Sequence, residues 1–154
     1  MTSSPTSTSS APSPDESARA AHSRELALRA AQAGLDRKAQ GIEIIDVVGK
    51  VDYADYLVLM TGTSDRHCGA IADAVERTLT EQGDKPLSIE GRGQWLLLDF
   101  FDIVVHVFSD DARHLYDLSG LWMDAGRVVV PGRTESEMDS VFSSLRPRDR
   151  KVEA

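Results

Sequence analysis

The stretch Gln94 to Asp110, QWLLLDFFDIVVHVFSD, is the most apolar part of the chain, yet it carries Asp99, Asp102 and His106. Two carboxylates and an imidazole in otherwise apolar strands can hold a divalent cation or move a proton. A second suggestive segment is GTSDRH, Gly62 to His67. Glycine and small polar residues at a strand-to-helix junction can cradle a phosphate. Together these are the parts of a metal-dependent nucleotidyltransferase, which is the alternative function for this chain. The spacing speaks against it. Asp99 and Asp102 are three positions apart, so a regular strand would place them on opposite faces. A turn between them would leave one at a strand end and the other in the turn. Neither arrangement brings both carboxylates to one metal. GTSDRH also lacks the GK[ST] of a phosphate loop and is not GxGxxG, so Thr63 and Ser64 capping a helix is the plainer reading.

His67, His106 and His114 could ligate a metal, but no two are spaced i, i+4. A hydrogen-bonded strand residue is the expectation for His106 in VVHVF. The single cysteine, Cys68, excludes an internal disulfide and a multi-cysteine zinc site, and a buried small side chain is expected there. Trp95, Tyr116 and Trp122 have apolar bodies and polar tips, which suits either a core or a protein interface. No catalytic residue, metal or cofactor is assigned.

These residues need elements to hold them. Residues 1–22 are rich in Ser, Thr, Pro and Ala and are expected to be a disordered tail. A helix follows, with Leu26, Ala27, Ala30 and Ala31 at helical spacing, capped by Ser23 or an earlier residue and closed by Gly41. Ile42–Val47 reads as a strand. The continuous apolar run Tyr56–Gly62 reads as a central strand covered on both faces. Ser64 caps a helix with Ile71, Ala72, Val75 and Leu79 on one stripe, stopped by Gly83. A short strand near Leu87–Ile89 precedes paired strands at Trp95–Phe100 and Ile103–Phe108, joined by a tight turn at Phe101-Asp102. Ser109 caps a short helix. VVV at 128–130 suits an edge strand, TESEMDSVFSSL a marginal helix, and RPRDRKVEA a solvated tail. The order predicts one α/β (α+β) domain, a mixed sheet flanked by helices, over residues 23–124, with a peripheral extension at 125–154.

Composition narrows the function. With 41% apolar and 27% charged residues, the chain can bury an ordinary core. No apolar run nears the roughly 20 residues of a membrane span, and the N-terminus does not read as a secretory signal, so a cytoplasmic protein with no membrane role is expected. The net charge is −8, and Arg24–Asp124 holds 18 acids against 10 bases. Direct sequence-specific nucleic-acid binding is therefore not expected, whereas a basic protein partner suits the charge.

The motifs GTSDRHCGAIADAV, IEG, WLLLDFFDIVVHVF and RHLYDLSGLW, in this order, resemble the ribosomal silencing factor family, also called RsfS or Iojap-like. The resemblance rests on Gly62, Ser64, Arg66 and His67; on Glu90 and Gly91; on Trp95 to Asp99; on Asp102 to His106; and on Tyr116, Leu118, Leu121 and Trp122. It implies a nucleotidyltransferase-like fold without the catalytic carboxylate set, and a non-enzymatic role. It further implies binding to the large ribosomal subunit through its ribosomal protein fourteen, obstruction of small-subunit joining when nutrients are scarce, and a part in large-subunit maturation. The chain departs from the family at Ser119 and Gly120, where a Glu and a longer residue are usual, and has a shorter Gly91–Trp95 loop. On a regular strand Trp95, Leu97 and Asp99 share a face. With Tyr116 and Trp122 they are the expected partner-binding residues, supplying apolar area and an acceptor for Lys or Arg. A homodimer of the free protein is left open.

Overall fold

The computed structural model describes residues 14–131. The marginal helix expected at 134–145 and the tail beyond it lie outside these residues. In chain order the elements are α1 (Pro14–Asp36), β1 (Gln40–Asp46), β2 (Tyr56–Gly62), α2 (Asp65–Glu81), β3 (Ser88–Arg92), β4 (Trp95–Asp99), β5 (Ile103–Ser109), α3 (Asp110–Tyr116), α4 (Leu118–Leu121) and β6 (Arg127–Val128). They form one α+β domain around an open six-stranded sheet of order β3-β4-β5-β2-β1-β6. The pairings are antiparallel except β2 with β5, which run parallel at the centre. All seven residues of β2 are buried, as expected of a strand covered on both sides.

Period-two alternation divides the core between the two faces of the sheet. On one face Ile44, Val58, Met60, Val105 and Leu98 pack beneath Leu26, Ala27 and Ala30 of α1 and Ile71, Val75 and Leu79 of α2. The other face carries Ile45, Leu57, Leu59, Val104 and Phe108. Among the described residues that face is covered by α3, α4, the loop after them and the β1–β2 connection with Val51 and Ala54. The N-terminus of α2 is built as its sequence suggests: Ser64 Oγ accepts the His67 N–H at 3.0 Å. Gly62 is glycine for want of space, since a Cβ there would lie 2.8 Å from Cys68 Sγ.

Four local expectations need correction. Helix α1 starts at Pro14, so residues 14–22 are helical rather than tail. Proline suits a first helical position, and Ala18, Ala20 and Ala21 are strong helix formers even without an apolar face to bury. Ser23 is then mid-helix and fully buried, its hydroxyl donating to Asp55 Oδ2 at 2.8 Å instead of capping. The helix is closed by Lys38 at φ 63, with Ala39 N–H returning to the Gly34 carbonyl at 2.9 Å. Gly41 lies instead within β1, at a register shift against β2. Finally, the ordered fold passes residue 124: Val128 and Val130 are buried in the helix-covered core.

Candidate docking face on the open side of the sheet

The residues singled out for chemistry do not form a reaction centre. Asp99 Oδ1 accepts the Phe101 N–H at 2.8 Å, bracing the turn in which Phe101 takes φ 78. Asp102 faces α1, where Arg19 Nε lies 3.8 Å away. Burial raises the Asp102 carboxyl above its ordinary range, and Arg19 opposes the shift. In GTSDRH two backbone N–H groups are engaged within the segment. Thr63 N–H donates to His67 Nδ1 at 2.9 Å, and His67 N–H is used by Ser64. His67 Nε2 donates to the Arg37 carbonyl at 2.7 Å, latching the start of α2 to the end of α1. His114 Nδ1 sits 2.9 Å from the Asp110 carbonyl on exposed α3. Among the described residues no group of three or more His, Cys, Asp or Glu could hold a metal. Cys68 is fully buried, and burial pushes its thiol up.

The aromatic residues do converge. Trp95 and Leu97 on β4 and Trp122 after α4 pack against the less covered core, beside Leu118. The Trp95 ring centroid lies 4.2 Å from that of Tyr116, 5.7 Å from Phe108 and 5.9 Å from His106. The indole N–H donates to His106 Nδ1 at 3.1 Å. Trp95 thus has one edge in the core and another at the surface. On α3, α4 and the loop after them Leu115 is 75% exposed, Leu121 68%, Tyr116 51% and Met123 49%. Exposed acids lie on the same elements: Asp110 and Asp111 on α3, Asp117 between α3 and α4, Asp124 after α4, and Glu90 on β3 beside Leu97, with one exposed base, Arg92, beside Trp95. Asp99 shares the face, but at the far end of β4 from Trp95, roughly 13 Å along the strand. Sequence reasoning did not single out Leu115 or Met123, and named Leu121 only as a motif residue, because exposure of a single apolar residue cannot be read from type.

His106 is buried, and desolvation lowers its imidazole to about 4. Accepting from Trp95 also requires an unprotonated Nδ1. The unfolded chain protonates near pH 6.5, so between these values it binds more protons than the fold does, and stability falls as pH falls. Acidification from pH 7 to 5 is therefore expected to remove about 2 kcal/mol through this residue alone. Urea unfolding of the protein and of His106→Phe at both pH values checks it; an equal loss in both would assign the effect elsewhere.

The face is held by a buried polar cluster that the sequence did not announce. Glu43 on β1 receives Arg113 NH2 of α3 at 2.7 Å, Ser119 Oγ of α4 at 2.8 Å, and Arg127 Nε of β6 at 3.1 Å. Arg113 NH1 also donates to Thr61 Oγ1 and to the Gly41 carbonyl. Burial lowers the Arg113 guanidinium and the Glu43 carboxylate counters that. Arg127 NH1 donates to the carbonyls of Trp122 and Ala125. Ser119 and Gly120, which depart from the family pattern, both have a use. Ser119 serves Glu43, while Gly120 leaves room for the Asp117 carboxylate, whose Oδ1 caps α4 by accepting Gly120 N–H at 3.1 Å. A Cβ on Gly120 would lie 2.2 Å from Asp117 Oδ2.

With this geometry in place, likeness to known proteins decides the family. The sequence profile of "Ribosomal silencing factor during starvation" matches residues 20–153. This chain belongs to the ribosomal silencing factor family, RsfS. It is 35% identical over 111 residues to the ribosomal silencing factor RsfS of Halalkalibacterium halodurans, covering 71% of this chain and 95% of that protein. The factor of Bacillus subtilis is 39% identical over 98 residues, 62% of this chain and 83% of its own length. A mouse protein named for mitochondrial assembly of the ribosomal large subunit is 34% identical over 89 residues, 54% of this chain and 39% of its own. A crystal structure from Chromobacterium violaceum aligns with TM-score 0.64 at 28% identity, covering 75% of this chain and 97% of that one. The match to residue 153 takes in the segment at 125–154 that the sequence pattern set outside the domain. Among the described residues no helix is long and apolar enough to cross a membrane.

Proposed function

We propose that this protein is a silencing factor that acts in the cytoplasm by occupying surface, without catalysis. The face built from Trp95, Leu97, Tyr116 and Trp122 docks onto the large ribosomal subunit through its ribosomal protein fourteen, and the bulk of the domain then excludes the small subunit. This lowers translation when nutrients are limiting; the same contact is compatible with a part in large-subunit maturation. The observation that carries the reading is the pairing of an exposed apolar centre with nearby acids, Arg92 the one base among them, on the less covered side of the sheet. Such a surface buries aromatic anchors in its middle and steers a basic partner at its edge. Asp99, at the far end of β4, belongs to the edge rather than the centre. The engaged donors of GTSDRH and the separate duties of Asp99 and Asp102 give no support to nucleotide chemistry.

Sedimentation of the purified protein with separated subunits tests this. Co-migration with large subunits, and fewer intact ribosomes when both subunits are supplied, is the expected result. Co-migration with small subunits only, or with neither, would remove the proposal.

A further inference from the structure

We propose that Glu43 is a positioning residue for the docking face, holding α3, α4 and β6 in place from beneath without touching the partner. The consequence for binding rests on the reading of that face given above. The elements carrying Tyr116, Leu121 and Trp122 are too short to persist alone, at seven residues for α3 and four for α4. Their apolar anchorage is thin. Ala112 is the buried apolar residue of α3, α4 buries Ser119, and the following loop buries Ala125. Partly buried Leu118 and Trp122 add to this, but they belong to the surface being positioned.

β6 is already joined to the sheet by its pairing with β1 and by buried Val128. What ties α3 and α4 to the sheet, and to β6, is largely polar and converges on one carboxylate. Its three donors come from three segments: Arg113 from α3, Ser119 from α4 and Arg127 from β6. Arg127 relays the hold outward, since its NH1 grips the carbonyls of Trp122 and Ala125. The Glu43 side chain is 1% exposed, with Arg113 at 13% and Arg127 at 18%, so water is a poor substitute for any of these partners. Glu43 reaches this place because β1 alternates, which puts it on the same face as Ile45 and Val47. Ser119 Oγ lies 2.8 Å from Glu43 Oε2. A carboxylate carried by position 119 could therefore meet the same two guanidinium groups, provided position 43 gave up its own.

The test uses the full chain and two readouts. Amide hydrogen exchange follows residues 110–130 against β2 and β5, and co-sedimentation measures affinity for large subunits. Glu43→Gln is expected to speed exchange at 110–130 at least tenfold while β2 and β5 stay protected, and to weaken subunit binding at least tenfold. The exchanged pair Glu43→Ser with Ser119→Glu is expected to recover most of both. If Glu43→Gln does not fold, Ser119→Ala, which removes one of three donors, should give the same localised pattern at smaller amplitude. Unchanged exchange at 110–130, or acceleration spread evenly over β2 and β5, overturns the proposal. So does unchanged affinity in a variant whose exchange has risen. If the unaltered protein itself fails to bind large subunits, the reading of the face fails, while the exchange pattern still decides whether Glu43 holds it.

Discussion

Arg113→Ala is expected to destabilise the fold by about 3–5 kcal/mol, the range for removing one partner of a buried ion pair. The loss arises from what is left behind. Glu43 Oε2 loses a charge-assisted bond of 2.7 Å, and Thr61 Oγ1 and the Gly41 carbonyl lose their shared donor. Phe108 also loses the guanidinium lying 5.7 Å from its ring centroid. Arg127 and Ser119 stay with the carboxylate and keep the effect from being larger. At about 4 °C per kcal/mol, where the ranges for domains of about 100 and about 150 residues meet, the melting temperature should drop by roughly 12–20 °C. Arg113→Lys should recover only part of this, because an ammonium cannot span acceptors that the planar fork reaches together. Urea unfolding of both variants is the measurement; a loss below about 1 kcal/mol for alanine would mean the cluster is not stabilising.

Trp95→Ala should fail in two ways at once. The sequence posed a choice between a core residue and an interface anchor, but the indole has one edge in each environment. Truncation removes its packing against Tyr116 and Phe108 and strips buried His106 Nδ1 of its donor. The stability loss should be about 3 kcal/mol, the low end for a tryptophan, because part of the ring is already in water. Affinity for the large subunit should fall by about 2 kcal/mol or more, at least roughly thirtyfold. Trp95→Phe separates the parts. It keeps ring area while losing the indole N–H, so it should cost about 1–3 kcal/mol of stability and far less binding. Asp99→Asn can still accept the Phe101 N–H, so it should melt normally and show a shallower salt dependence of binding. Full affinity in folded Trp95→Ala and Asp99→Asn would move the docking site elsewhere without changing the family.

The parts legible in the sequence are those set by local pattern. β2 was visible as an uninterrupted apolar run, β4 and β5 as strands on either side of a turn, and the Ser64 and Ser109 caps from residue type. Trp95 and Leu97 could be placed on one face by period two alone; Tyr116 and Trp122 were marked by residue type as core or interface aromatics, but no local pattern could place them beside Trp95. The start of α1 was hidden because its first turns carry propensity but no apolar stripe. The Glu43 cluster was hidden for a different reason. Alternation does place Glu43 on the inward face with Ile45, which signals that a partner must exist. That signal cannot name Arg113, 70 residues away, or Arg127, 84 away.

The parallel seam between β2 and β5 has a consequence for how the chain folds. β1 with β2, and β3 through β5, are hairpin neighbours that can pair locally. Joining the two halves requires Tyr56 to find Ile103 and Gly62 to find Ser109, with α2 and the β3–β4 hairpin in the intervening loop. Neither half can bury both faces of its strands beforehand. The seam is thus one of two long loop closures in the sheet, the other being β6 onto β1, and its seven paired positions make it the larger of the two. Until the seam closes, β2 is a largely apolar strand with an open edge, so a nascent chain is most prone to self-association during that interval.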